Sequence, residues 1–181
     1  YWVQLAQIYY KLQQEEQALA VMALAYRKSL LDKQGDLMFL SSLYSNANVP
    51  FKSAEVLEGA IRDGIVEPTK TNWTMVAETW YNAEELDRSL SAFIEAGRVA
   101  DDGDIDLRRG FILVDMEQWN EALAALNEAL DKGGLGDRRA VELHREDRRG
   151  VVGAADELRD RAGVVRLAAR IFAFGTEREE E

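Results

Sequence analysis

Ala25, Ala60, Ala96 and Ala129 stand 35, 36 and 33 residues apart, and the residues upstream of each repeat one arrangement. In the first segment Trp2, Leu5, Ala6 and Tyr9 take relative positions 0, 3, 4 and 7, followed by Ala18, Met22 and Ala25 at 0, 4 and 7. Leu37, Leu40, Ser41 and Tyr44 open the second, which closes with Ser53, Leu57 and Ala60. The third has Trp73, Val76, Ala77 and Trp80, then Ser89, Phe93 and Ala96. The fourth is weaker at its start, with Asp106, Arg109, Gly110 and Leu113, and regular at its end, with Ala122, Leu126 and Ala129. A spacing of 0, 3, 4, 7 puts four side chains on one helix face, and 0, 4, 7 does the same for the next helix. Small residues at Ala6, Ser41, Ala77 and Gly110 let the paired helix approach closely, with bulky residues filling the flanks.

The pattern resembles the tetratricopeptide repeat (TPR), a unit of about 34 residues with a large–Leu–small–aromatic first helix and an Ala–aromatic–Ala second helix. The resemblance implies an all-α, right-handed α-solenoid of antiparallel helical hairpins, at about residues 1–33, 34–68, 69–101 and 102–132. Punctuation agrees with it. Pro50 falls near the first turn of a second helix, where its missing N–H costs nothing, and Pro68 does the same ahead of the third hairpin. Asn82, followed by Glu84 and Glu85, reads as an N-cap with an acidic first turn. Gly133 and Gly134 end the fourth hairpin. Short connections make neighbouring helices antiparallel.

From about Gly133 the composition shifts: residues 131–181 carry ten of the sixteen arginines and no tryptophan or tyrosine. Apolar periodicity persists at Val164, Leu167, Ala168 and Ile171. Three readings fit residues 133–181, namely an irregular helical cap over the last repeat, a loosely ordered tail, or a stretch from a shifted reading frame. The acidic end at residues 177–181 reads as frayed.

No apolar run approaches the ~18–20 residues of a membrane span. The chain opens at Tyr1 in place of methionine, which reads as a cut or processing site, so a missing signal peptide carries little weight. With no cysteine, disulfides, thiolate zinc sites and cysteine nucleophiles are excluded. A net charge of −11 argues against nucleic acid as the main partner, since phosphate binding needs a basic face.

The chemistry-bearing residues have bland readings. His144, the single histidine, sits in a charged helical pattern with no second imidazole. Asp101, Asp102, Asp104 and Asp106 resemble a calcium-loop fragment. An EF-hand counted from Asp102 would need glycine and glutamate where Leu107 and Leu113 stand. A solvent loop capping the next helix accounts for them better. Asn72-Trp73-Thr74 matches a glycosylation acceptor, but on a helix core position. Trp2, Trp73 and Trp80 take core positions, and Trp119 falls at a hairpin turn. No phosphate loop, nucleophile elbow or metal-binding helix is present. Neither catalysis nor a cofactor or metal is expected.

In the TPR family, first helices line a concave groove where partners commonly lie. By register the resemblance implies groove positions Val3, Gln7, Tyr10 and Lys11, then Met38, Ser42, Ser45 and Asn46. The third hairpin gives Thr74, Glu78, Tyr81 and Asn82, and the fourth Leu107, Phe111, Val114 and Asp115. Tyr10, Tyr81 and Phe111 are expected to be exposed aromatic anchors; packing across adjacent hairpins is the other reading of these positions. The lysine–asparagine carboxylate clamp of some members is unassembled, with Val3, Gln7, Met38 and Ser42 at matching positions. The phrasing of Asp36-Leu37-Met38-Phe39-Leu40, Lys52-Ser53-Ala54-Glu55-Val56-Leu57-Glu58 and Asp131-Lys132-Gly133-Gly134-Leu135 is similar to bacterial TPR proteins associated with TonB-type energy transduction. That similarity implies an interaction module in the periplasm; the residues themselves do not choose between periplasm and cytoplasm. The expected function is non-catalytic binding of a protein or peptide. The alternatives are a homo-oligomer stacked through uncapped ends, or a regulatory part of an enzyme whose catalytic domain lies outside this chain.

Overall fold

A computed structural model of the chain describes residues 1–133. They form eight helices: α1 (Trp2–Lys11), α2 (Glu15–Arg27), α3 (Gln34–Asn46), α4 (Pro50–Arg62), α5 (Lys70–Asn82), α6 (Leu86–Arg98), α7 (Asp104–Asp115) and α8 (Trp119–Lys132). The described residues divide into two compact units, residues 1–92 and the residues from 93 onward. The cap, tail and frame-shift readings, and His144, lie outside the described residues.

Within the first unit α1 packs on α2, α3 on α4, and the hairpins follow one another through α2 on α3 and α4 on α5. The rows of the repeat are its core. Ala6, Ala18, Met22, Ala25, Leu37, Leu40, Val76, Ala77 and Trp80 are all buried. Serine replaces alanine where a hydroxyl finds a partner. Ser53 lies 2.7 Å from the Ser41 hydroxyl and donates to the Ser41 carbonyl oxygen at 2.9 Å, and Ser89 donates to the carbonyl of Ala77 at 2.8 Å. In the second unit α7 packs on α8. Gly110 of α7 faces Leu126 so closely that a Cβ would stand 2.7 Å from the leucine Cδ2.

Each hairpin turns in the same way. Gln13, Asn48, Glu84 and Glu117 have φ of 60, 58, 61 and 59°, and each is the middle of the residues joining a first helix to a second. The following residue closes the turn: Gln14, Val49, Glu85 and Gln118 donate to the carbonyls of Tyr9, Tyr44, Trp80 and Leu113 at 2.8–3.0 Å. These are Schellman turns, which satisfy the last carbonyls of the first helix. The left-handed residue is ordinarily glycine, yet none of the four is.

Several expectations are corrected. Asn82 is the last residue of α5 and not an N-cap of α6, because Glu84 occupies the left-handed turn position between them. Pro68 lies ahead of α5, whose start is capped by Thr69, the side chain accepting from the backbone N–H of Asn72 at 3.2 Å. Trp2, placed in the core by its register, is exposed. Pro50 does open α4, and Gly133 (φ 65°) ends α8.

Trp80 is fully buried, donates through Nε1 to Glu58 at 3.0 Å and stacks edge-on with Phe51. Trp80→Ala is expected to cost about 3–5 kcal/mol in urea unfolding. Glu84→Gly relieves a left-handed residue and is expected to raise stability by about 0.5–1 kcal/mol. An unchanged midpoint for Trp80→Ala contradicts the register.

Candidate functional face on the first helices

Ten of the sixteen groove positions are exposed, namely Gln7, Tyr10, Lys11, Ser42, Ser45, Asn46, Glu78, Tyr81, Asn82 and Asp115, and Val3, Met38, Thr74 and Val114 are half-buried. Leu107 and Phe111 are buried, which corrects their placement in the groove. Phe111 is only 5% exposed and is no surface anchor. It holds the register place of Gln7, Ser42 and Glu78, but α7 is apolar on more than one face. Leu107, Phe111, Ile112 and Leu113 are all buried, as in a helix enclosed on several sides.

In the first unit the face is built from α1, α3 and α5. Tyr10 and Tyr81 are each 41% exposed, so each presents part of an aromatic ring while the rest is held in place. Tyr10 is braced by Phe39 of α3, edge-on at 5.6 Å between ring centroids. Ser42 donates back to the Met38 carbonyl at 3.0 Å, and Ser45 lies 2.8 Å from the Ser53 hydroxyl. The start of α3 is tied to the approach of α5 by the backbone N–H of Glu67, which donates to Gln34 Oε1 at 3.3 Å. Lys11, Asn46 and Asn82 are the last residues of their helices. There a cation or amide donor also complements the helix dipole. The surface is therefore a polar strip with two partly buried tyrosines, suited to hydrogen bonding and ring packing. Phe111 and Asp115 belong to the other unit.

The perturbed titrations fall elsewhere. Burial, then the nearby charges of Glu55 and Asp63, push the Tyr26 phenol up. The hydrogen bond to Glu55 raises Lys52. Both groups sit on second helices. Among the described residues no group of histidine, aspartate and glutamate side chains could hold a metal, and no helix is long and apolar enough to cross a membrane. The acidic loop disperses: Asp102 accepts from the backbone N–H of Asp104 at 3.2 Å, while Asp106 is a buried residue within α7. Asn72 is buried and donates its side-chain amide to the Glu67 carbonyl at 2.8 Å, which leaves the glycosylation motif inaccessible.

Asp106 explains the weak start of the fourth repeat. It replaces the large apolar residue of Trp2, Leu37 and Trp73, and it is 1% exposed. Two cations compensate it. Arg109 lies 3.2 Å from Oδ1 and also pairs with Glu128. Lys132 lies 2.7 Å from Oδ2, off the line of a hydrogen bond, so that contact is an ion pair. Lys132 also donates to the Gly97 carbonyl at 3.1 Å. The sequence signal was Arg109 three residues on, on the same face; Lys132, on another helix, gave none. Gly103 has no signal in the sequence pattern. A Cβ there would stand 2.1 Å from the carbonyl oxygen of Ala129, and its N–H donates to the Gly133 carbonyl at 2.8 Å.

No protein-family model matches the chain, and no curated protein matches it. Solved structures do. One crystal structure of MamA aligns with a TM-score of 0.64 at 13% identity, over 99% of this chain and 90% of that one. Another aligns at 0.60 and 12% identity, over 97% of each. YrrB, described as a TPR protein with an unusual peptide-binding site, aligns at 0.53 and 15% identity, over 98% of this chain and 90% of its own. The fold is tetratricopeptide-like. At these identities the likeness is one of fold, and it accords with the hairpin geometry above. This tetratricopeptide-like chain departs from its own repeat chiefly at Asp106, so that residue offers a direct check. Asp106→Ala leaves two cations facing a buried site and is expected to cost about 1–3 kcal/mol. Asp106→Leu, restoring the apolar residue, is expected to cost less in the same unfolding measurement.

Proposed function

We propose that the chain is a protein-interaction module, binding an extended peptide or a segment of a partner protein on the α1–α3–α5 face. The observation that carries this reading is the contrast between faces. Most of the repeat rows are buried, with Leu5, Tyr9, Tyr44 and Trp73 half-buried and Trp2 exposed, while Tyr10, Ser42, Ser45, Asn46, Glu78, Tyr81 and Asn82 stand exposed on successive first helices. Fixed, partly exposed tyrosines give contact area at low cost in side-chain entropy, and the interleaved hydroxyls and amides supply hydrogen bonds. The fold likeness to YrrB, described as having a peptide-binding site, supports the same reading. Catalysis has no support in any cluster of reactive side chains on this face.

A narrower placement, in a bacterial envelope assembly facing the periplasm, is part of the proposal. It is supported by the phrasing of residues 36–40, 52–58 and 131–135, and by nothing in the geometry. Cell fractionation checks it, and recovery from the cytoplasm alone contradicts it.

Peptides selected against the full chain from a random display library are expected to lose at least tenfold in affinity for Tyr10→Ala/Tyr81→Ala. That corresponds to about 1.4 kcal/mol or more. Because both rings are partly exposed, the variant is expected to keep its fold by circular dichroism. Equal affinity for parent and variant contradicts this face as the binding site.

A further inference from the structure

A serine or threonine hydroxyl carries one proton, so where that proton goes decides what the oxygen offers outward. On the α1–α3–α5 face the protons can be traced, because a carbonyl oxygen has none to give. Ser42 donates to the Met38 carbonyl at 3.0 Å, and Thr74 to the Lys70 carbonyl at 2.8 Å. Ser53, buried on α4, donates to the Ser41 carbonyl at 2.9 Å, which commits its single proton. Its oxygen also lies 2.7 Å from the Ser41 hydroxyl and 2.8 Å from the Ser45 hydroxyl. Both of those must then donate to Ser53, so Ser45 turns its proton inward. Ser42 and Ser45 are exposed and Thr74 is half-buried. Each shows the outside an oxygen with lone pairs and no proton.

A donor on a ligand meets these oxygens without disturbing any bond, whereas an acceptor must first break one. The side-chain amides of the face both donate and accept, so the hydroxyls decide. Shape points to the same helix. Tyr10, Ser45 and Tyr81 hold one register position on α1, α3 and α5. A short serine between two rings that are each 41% exposed leaves a dip over α3. Ser42 and Ser45, three apart on one helix face, both supply acceptors there. Lys11 is the only cation among the groove positions of this unit, and it stands on α1, while the chain as a whole carries a net charge of −11.

We propose that the segment bound on this face bears arginine, with a guanidinium seated in the α3 dip and donating to Ser42 and Ser45. This rests on the α1–α3–α5 face being the binding site, and it names the chemistry of the occupant. Arginine fits better than lysine because its planar fork reaches two oxygens at once and its flat face packs on tyrosine rings. An acidic segment is rejected, since its carboxylates would meet oxygens that have no proton to offer.

The test titrates the full chain with a fluorescein-labelled glycine–arginine peptide, blocked at both ends, and with its lysine and glutamate counterparts. The arginine peptide is expected to bind saturably, the lysine peptide roughly threefold or more weakly, and the glutamate peptide not at all. Ser42→Ala removes an acceptor and no charge. It is expected to weaken the arginine peptide by about threefold or more without lowering the thermal midpoint. Asn46→Lys, beside the dip, is expected to weaken it by about tenfold or more. Gln17→Lys, the same charge change on the exposed side of α2, is expected to change it by less than about twofold. The proposal is overturned if the arginine peptide does not bind saturably, or if the glutamate peptide binds equally. It is also overturned if Ser42→Ala has no effect, or if the two lysine variants weaken binding alike, since attraction is then to the acidic chain as a whole. A library-selected peptide that Tyr10→Ala/Tyr81→Ala weakens, beside failure of the arginine peptide, overturns this preference and leaves the face standing. A selected peptide that the double variant does not weaken overturns both.

Discussion

In every hairpin the two helices meet at a residue with little or no side chain, and that approach decides where all the other side chains of the repeat can go. Ala6 and Ala77 are fully buried at this place. Ser41 turns its hydroxyl onto Ser53, and Gly110 leaves room for no more than the leucine opposite. A larger residue would push the helices apart, and packed interiors do not absorb an extra methylene without strain. Once the approach is fixed, the 0, 3, 4, 7 and 0, 4, 7 rows point inward, and the left-handed turn residue reverses the chain within the shortest connection. Surface and core are then assigned together. The exposed face of α1, α3 and α5 is a consequence of the same register that buries Trp80.

Local periodicity was legible because it depends on residues within two turns of each other. The helices, the small-residue approach, Pro50 as a helix start and Gly133 as a helix stop all belong to that class. The turns were less so. Glutamine, asparagine and glutamate at the left-handed position carry no glycine signal, which is why Asn82 read as a cap when it ends α5. What failed outright depends on partners far along the chain. Asp106 looked like a defect, because its counter-charge Lys132 lies on a different helix. Gly103 carries no sequence signal, because the Ala129 carbonyl that requires it lies on a distant helix. Phe111 and Trp2 erred in opposite directions for one reason. A register position fixes which way a side chain points, and neighbouring elements fix whether anything covers it.

The proposed interaction face follows from that distinction. On one side of α1 the residues are polar or phenolic, as they are at the matching positions of α3 and α5, and a polypeptide lying there could exchange water for hydroxyls, amides and two ring edges. The acidic overall balance disfavours nucleic acid on that face.

The central claim, that binding uses the exposed register of the first helices, is tested most directly by backbone amide NMR of the full chain titrated with a peptide selected against it. The account requires the largest shift changes at Gln7, Tyr10, Ser42, Ser45, Glu78 and Tyr81, with α2 and α4 little affected. Changes concentrated on the second helices, or spread evenly over the chain, would contradict it.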